Sequence, residues 1–191
     1  MLAKDYVRFD EIDDVLASLD LLVLVARLVR ETPSYWKWAI VAAHDALQGA
    51  MVCALNDTSG VSVLEQQSAR KMLDWIDMQE GEAPKARLAG FKTLLQRCQD
   101  SSRMQGEPLT LNKAQLKDVN KLHEEFRNSF SHFIPQGWSI EKAGLPRIIG
   151  TAVDCIAELM ERTQSLYKLT GNRKRRLSKN IKETRAVLAR L

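Results

Sequence analysis

The sequence predicts an all-α domain, and three observations carry that prediction. Gly and Pro are sparse, nine and five among 191 residues, and they fall in short clusters rather than at the regular intervals of a sandwich or barrel. Between those clusters apolar residues recur at three- and four-residue steps, the spacing that puts them on one side of a helix. Hydrophobic residues make up 45% of the chain and charged residues 27%, a balance that folds, over a length suited to one domain.

Asp10 is placed to cap a first helix, with Glu11, Asp13 and Asp14 in its first turn, where negative charge suits the positive end of the helix dipole. Ile12, Val15, Leu16, Leu19, Leu22 and Val23 give this helix a buried face, and it should end near Glu31, ahead of Pro33. A second helix over 34–55 carries Trp36, Trp38, Ile40, Val41, Leu47, Met51 and Val52; apolar over much of its circumference, it suits the centre of a bundle. It closes at the turn signal Asn56-Asp57-Thr58-Ser59-Gly60. The stretch 61–79 is expected to be helical, although Val61-Ser62-Val63 alone also fits a short strand. Gly81-Glu82-Ala83-Pro84 breaks the chain, 86–99 reads as a short helix, and 101–108 as a polar loop. Over 112–134, Leu116, Val119, Leu122, Phe126, Phe130 and Phe133 form an apolar stripe that Pro135 ends. Pro146 then sits in the first turn of a long helix through Ile148, Ile149, Val153, Ile156, Leu159 and Met160, with its end at Gly171. Residues 173–191 continue as a basic amphipathic helix with Leu177, Ile181, Thr184, Leu188 and Leu191 on one side.

Several function classes are excluded. The longest uncharged apolar run, 21–26, is too short to cross a bilayer, so no membrane span is expected. The opening MLAKDYVRFDEIDD turns acidic where a signal peptide needs its apolar core, and a cytoplasmic location is expected. Cys53, Cys98 and Cys155 are odd in number and far apart, which reads as buried thiols. There is no GxGxxG after a strand, no GxxxxGK[ST], no HExxH, no GxSxG and no Cys/His cluster at zinc spacing, so neither a metal nor a cofactor is expected. The four Trp are too widely spaced for a stacking platform and read as core. Net charge is uneven: 165–191 carries +8, and the rest −4, a layout that suits contact with a polyanion and also suits a merely solvated terminus.

Histidine is the side chain best suited to proton transfer near neutral pH, and the chain has three. His44, in Ala42-Ala43-His44-Asp45-Ala46, reads as a packed structural residue, and His123, beside Glu124 and Glu125, as a surface residue. His132 differs in its neighbours. In Glu124-Glu125-Phe126-Arg127-Asn128-Ser129-Phe130-Ser131-His132-Phe133 the polar residues line one side of a helix whose other side holds three Phe. At about 100° per residue Arg127 and Ser131 stack one turn apart, and Glu124, Asn128 and His132 form a parallel row. Arg127 and His132 then point about 140° apart, too far for a tight pair on one straight helix. Two protomers packed across a two-fold axis bring both copies into one cleft.

This Arg-x4-His arrangement, with the polar Asn128 directly after Arg127 and a helical chain around it, resembles the higher eukaryotes and prokaryotes nucleotide-binding (HEPN) superfamily, in a bacterial branch. The resemblance covers roughly 34–170. It implies an HEPN-like helical bundle with an added N-terminal helix and a basic C-terminal helix, one domain over 1–171 followed by a tail over 172–191. It also implies metal-independent cleavage of RNA at a site shared by a homodimer, with Arg127 and His132 catalytic. A toxin or phage-defence role would follow, with an antitoxin as a possible further partner. RNA carries its own nucleophile, the 2′-hydroxyl; a histidine takes or returns its proton, and an arginine stabilises charge on the phosphoryl oxygens.

Asn128 and Ser131 are candidates for orienting His132 or holding phosphate, and Glu124 for pairing with Arg127; each also fits an ordinary solvated helix. Arg173, Lys174, Arg175, Arg176 and Lys179, with Lys182 and Arg185, offer sequence-independent RNA contacts, or a surface for an acidic protein. Two rival readings stand beside the nuclease: a helical module that binds RNA or protein without turnover, and a toxin–antitoxin subunit silenced by its partner.

Overall fold

The computed structural model describes residues 6–104, 106–131, 135, 137–167, 169 and 171–191, and among them it is all-helical, with seven helices and no strand. Helix α1 spans Glu11–Leu28 and begins as its sequence requires: the Asp10 carboxylate accepts from the backbone N–H groups of Ile12 and Asp13. A short 3-10 turn, Pro33–Tyr35, leads into α2, Trp36–Leu55. Then come α3 (Gln66–Met78) and α4 (Phe91–Cys98). Helix α5 is continuous through three stretches, α-helical Lys113–Lys121, π-helical Leu122–Arg127 and α-helical Asn128–Ser131. Two further helices, α6 (Leu145–Tyr167) and α7 (Gly171–Leu188), complete the chain.

Helix α2 is the axis of the bundle, packed against α1, α4, the π-helical part of α5, and α6. Its apolar residues are spread around it because neighbours cover it on several sides: Ala39, Ile40, Ala43, Leu47, Ala50 and Met51 are wholly buried. The stretch Pro33–Leu55 is long and apolar enough to cross a bilayer, yet 72% of that window is buried inside the protein, and the charges of Lys37 and Asp45 lie within it. Gly49 marks the closest approach of α1 and α2: a Cβ there would lie 2.8 Å from Val15 Cγ2. All three cysteines are buried, and burial pushes the Cys155 thiol up to about 12 and Cys53 higher still.

Two expectations change. Residues 61–65 form a turn rather than a helix, the Leu64 N–H donating to the Val61 carbonyl at 3.0 Å, and Leu64 makes an isolated bridge to Leu88: the Glu65 N–H donates to Arg87 and the Ala89 N–H to Val63, both at 2.9 Å. The bridging residue lies more than twenty positions on, beyond the reach of local periodicity. Trp38, read as core, is 47% exposed, whereas Trp36 is buried, because α2 turns only one of these two positions inward.

Candidate functional site

The site is built on α5. Asn112 and Gln115 form a reciprocal cap at its start, the Asn112 side chain accepting from the N–H of Ala114 and Gln115 while Gln115 Oε1 accepts from the Asn112 N–H. One turn further on, the buried Asp118 carboxylate meets the Arg147 guanidinium and the Thr151 hydroxyl (3.2 Å), which clips α5 to α6. Leu122 and Phe126 are buried, and Phe130 meets Trp138 edge to face at 4.8 Å.

The π-helical stretch changes the phase of everything after it. The Asn128 N–H bonds the His123 carbonyl, five residues back instead of four. The α-helical step of about 100° per residue does not hold over this stretch, and the candidate pair of Glu124 with Arg127 is not made. Glu124 instead pairs with Lys92 of α4, which lowers its pKa. Arg127 is half-buried, and its Nη1 donates to Asn128 Oδ1 at 3.3 Å. Among the described residues no carboxylate pairs with Arg127. Ser131 is exposed. His132 and Phe133 lie outside the described residues.

The two histidines set aside in sequence are brought together. His44 is fully buried on α2, with Nε2 3.0 Å from His123 Nδ1 on α5 and Nδ1 3.1 Å from the Asp45 carboxylate. Both rings stack on Phe91 at the start of α4, with centroids 4.7 and 4.4 Å away. Burial lowers the His123 pKa to about 4, helped by His44, Arg127 and Lys92 and opposed by Glu124. The three polar groups run head to tail and do not converge on a point, so they form a relay and not a metal cage. Sequence gave one hint of this: a histidine inside the apolar run of α2 must find partners for both nitrogens once buried. Its partner, 79 residues away, is not legible in any local pattern.

The basic C-terminal segment is a helix packed on α1 and α6. Arg173 pairs with Asp10 (2.8 Å) and Asp13 (2.7 Å), Arg176 with Asp20, and Arg185 with Asp154 (2.6 Å). Asn180 donates to Asp20 at 2.6 Å, and Lys179 lies 4.0 Å from Glu183. Partial burial raises Asp10 and Asp20, but the Asp13 N–H and Arg173 hold Asp10, and Arg176 and Asn180 hold Asp20, below the usual carboxylate range. Lys174 and Arg175 have no carboxylate partner among the described residues. Beside α5, Lys37 lies 4.9 Å from the Trp38 ring and 6.0 Å from Phe130.

No protein-family model, curated protein or solved structure matches this chain.

Proposed function

We propose that this chain is a metal-independent endoribonuclease of HEPN type, with a cytoplasmic toxin or defence role, whose site is completed by a second copy of itself. The observation that carries the reading is the charge state of one arginine. Arg27, Arg147, Arg173, Arg176 and Arg185 each sit against an Asp or Glu, whereas half-buried Arg127 has a neutral amide as its hydrogen-bond partner and no carboxylate among the described residues. A partly desolvated guanidinium without a carboxylate is a receptor for an external anion, and a phosphodiester suits its planar donor set. In sequence, His132 directly follows Ser131, the last residue of the helix that presents it.

The chemistry needs no metal, because the nucleophile belongs to the substrate. The 2′-hydroxyl attacks phosphorus, the bond to O5′ breaks, and a 2′,3′-cyclic phosphate and a 5′-hydroxyl remain. Arg127 holds the phosphoryl oxygens as charge builds on them, and His132 handles a proton. Exposed Trp38, with Lys37 reaching Phe130 one turn beyond Arg127, offers a base-stacking face beside the site. Lys174 and Arg175 supply further phosphate contacts.

The test is incubation of purified protein with RNA in chelator, at protein concentrations above and below dimer dissociation. Wild type is expected to cleave when dimeric and to lose activity on dilution. His132→Ala should fold and leave RNA whole. Intact RNA with concentrated wild type would favour the binding-module reading. That second reading has its own support in α3, an amphipathic helix whose Leu73 and Met78 are 43% and 64% exposed, as a protein-binding face would be.

A further inference from the structure

Asp45, His44 and His123 form a line that starts at a half-exposed carboxylate, passes through a wholly buried ring, and ends on a half-buried ring of α5. Phe91 stacks on both imidazoles and restrains their rotation. With both rings neutral the hydrogens can be placed. The Asp45 carboxylate only accepts, so His44 Nδ1 carries a hydrogen and its Nε2 carries the lone pair. His123 must then donate from Nδ1, which leaves the lone pair on His123 Nε2. No described residue hydrogen-bonds that atom. Arg127 stands one turn further along the same helix, near enough for its charge to act on the imidazole.

We infer that His123 is a proton-accepting catalytic residue of this site, and that His44 and Asp45 are positioning residues that fix its tautomer. The inference rests on the ribonuclease reading above. As the 2′-oxygen bonds to phosphorus, its proton passes to His123 Nε2; as the bond to O5′ breaks, O5′ takes a proton from water, and His123 then gives its proton to the hydroxide so formed. The imidazolium formed at His123 keeps its Nδ1 hydrogen bond to His44, which Asp45 holds in place, the logic by which a buried carboxylate orients a catalytic histidine. The groups facing His123 are His44 of α2, Lys92 of α4, and Glu124 and Arg127 of α5; Asp45 lies behind His44, and Asp14 of α1 faces Asp45 in turn. Their sum, with burial, keeps His123 neutral through ordinary pH, the form a base requires.

His123→Asn separates the two roles, because the Asn amide can replace Nδ1–H as donor to His44 but has nothing at the Nε2 position. Steady-state cleavage of an RNA oligonucleotide in chelator should show kcat reduced about 10²- to 10⁴-fold, with KM and the melting midpoint little changed. The acidic limb of the wild-type profile, with its midpoint near 4, should vanish in the variant. Asp45→Asn should lower kcat by releasing the His44 tautomer. Long-range ¹⁵N–¹H correlation on folded wild type reads the tautomers directly: His123 protonated at Nδ1 is expected, and at Nε2 overturns the inference. Unchanged kcat and pH profile in His123→Asn, alongside loss of cleavage in Arg127→Ala, would overturn it while leaving the ribonuclease reading intact. RNA left whole by wild type would defeat that reading and this one with it.

Discussion

The arginines of α5 and α7 look alike in sequence and behave differently in the fold. On α7, Arg173, Arg176 and Arg185 neutralise aspartates of α1 and α6, so much of the basic segment is committed to holding the helix down. On α5, Arg127 is held in a half-buried position with an amide as its partner. A count of positive charges points to the C-terminal segment as the anion-binding region. Among the described residues, the α7 cations left without a carboxylate, Lys174, Arg175 and Lys182, are all exposed, whereas Arg127 on α5 is half-buried. What decides affinity for an incoming anion is the charge left unpaired after folding, and that depends on tertiary neighbours.

The largest effect that separates the two regions is on stability. Removing residues 171–191 strips the buried Leu177, Ile181 and Leu188 from α1 and α6. At about 1.5–3 kcal/mol for each large apolar side chain, the loss is a large part of the roughly 5–15 kcal/mol that holds a domain together. Chemical denaturation should show a truncated chain that is mostly unfolded, and a truncation that melts like the full chain would refute the packing role of α7. Arg127→Ala should do the opposite: melting within about 0.5 kcal/mol of wild type, and RNA cleavage down about 10²- to 10⁴-fold, or roughly 3–5 kcal/mol of transition-state stabilisation.

How much of this was legible beforehand follows from where the determinants lie. Asp10 as a cap, the apolar face of α1, the burial of α2 over much of its circumference and the stripe of α5 as far as Phe130 are local patterns, and each stands in the structure. The bridge at Leu64 depends on Leu88, and the imidazole pair joins positions 44 and 123; both are contacts between distant parts of the chain. The π-helical turn has no residue signature comparable to a proline or a cap, and Glu124, a candidate partner for Arg127 on its own helix, pairs with Lys92 of another. The fate of Arg173 and Arg176 was hidden by distance along the chain: Asp10, Asp13 and Asp20 lie 156 to 163 residues away.

Acid should undo the two regions in sequence. His123 has a lowered folded pKa, so the unfolded chain takes up its proton first, and stability should fall as pH drops from about 6.5 towards about 4. The lowered Asp10 and Asp20 contribute stability above the ordinary carboxylate value of 3.8, and it is lost only as pH falls further, through their folded values. Melting midpoints across this range should show two phases; His123→Asn should erase the first, and Arg176→Ala should weaken the second. The smallest effects belong to single ion pairs on α7. Arg173→Ala and Arg176→Ala break half-exposed pairs and should each cost under about 1 kcal/mol, less in high salt. Neither should alter the salt slope of RNA binding as Lys174→Ala or Arg175→Ala does.

The central claim, that the unpaired Arg127 holds a phosphodiester while RNA attacks itself, is tested most directly by end-group analysis of RNA incubated with the dimeric protein in chelator. The account predicts 2′,3′-cyclic phosphate and 5′-hydroxyl ends that are absent with Arg127→Ala. Ends bearing 3′-hydroxyl and 5′-phosphate, or the same cyclic ends at the same rate from Arg127→Ala, would contradict it.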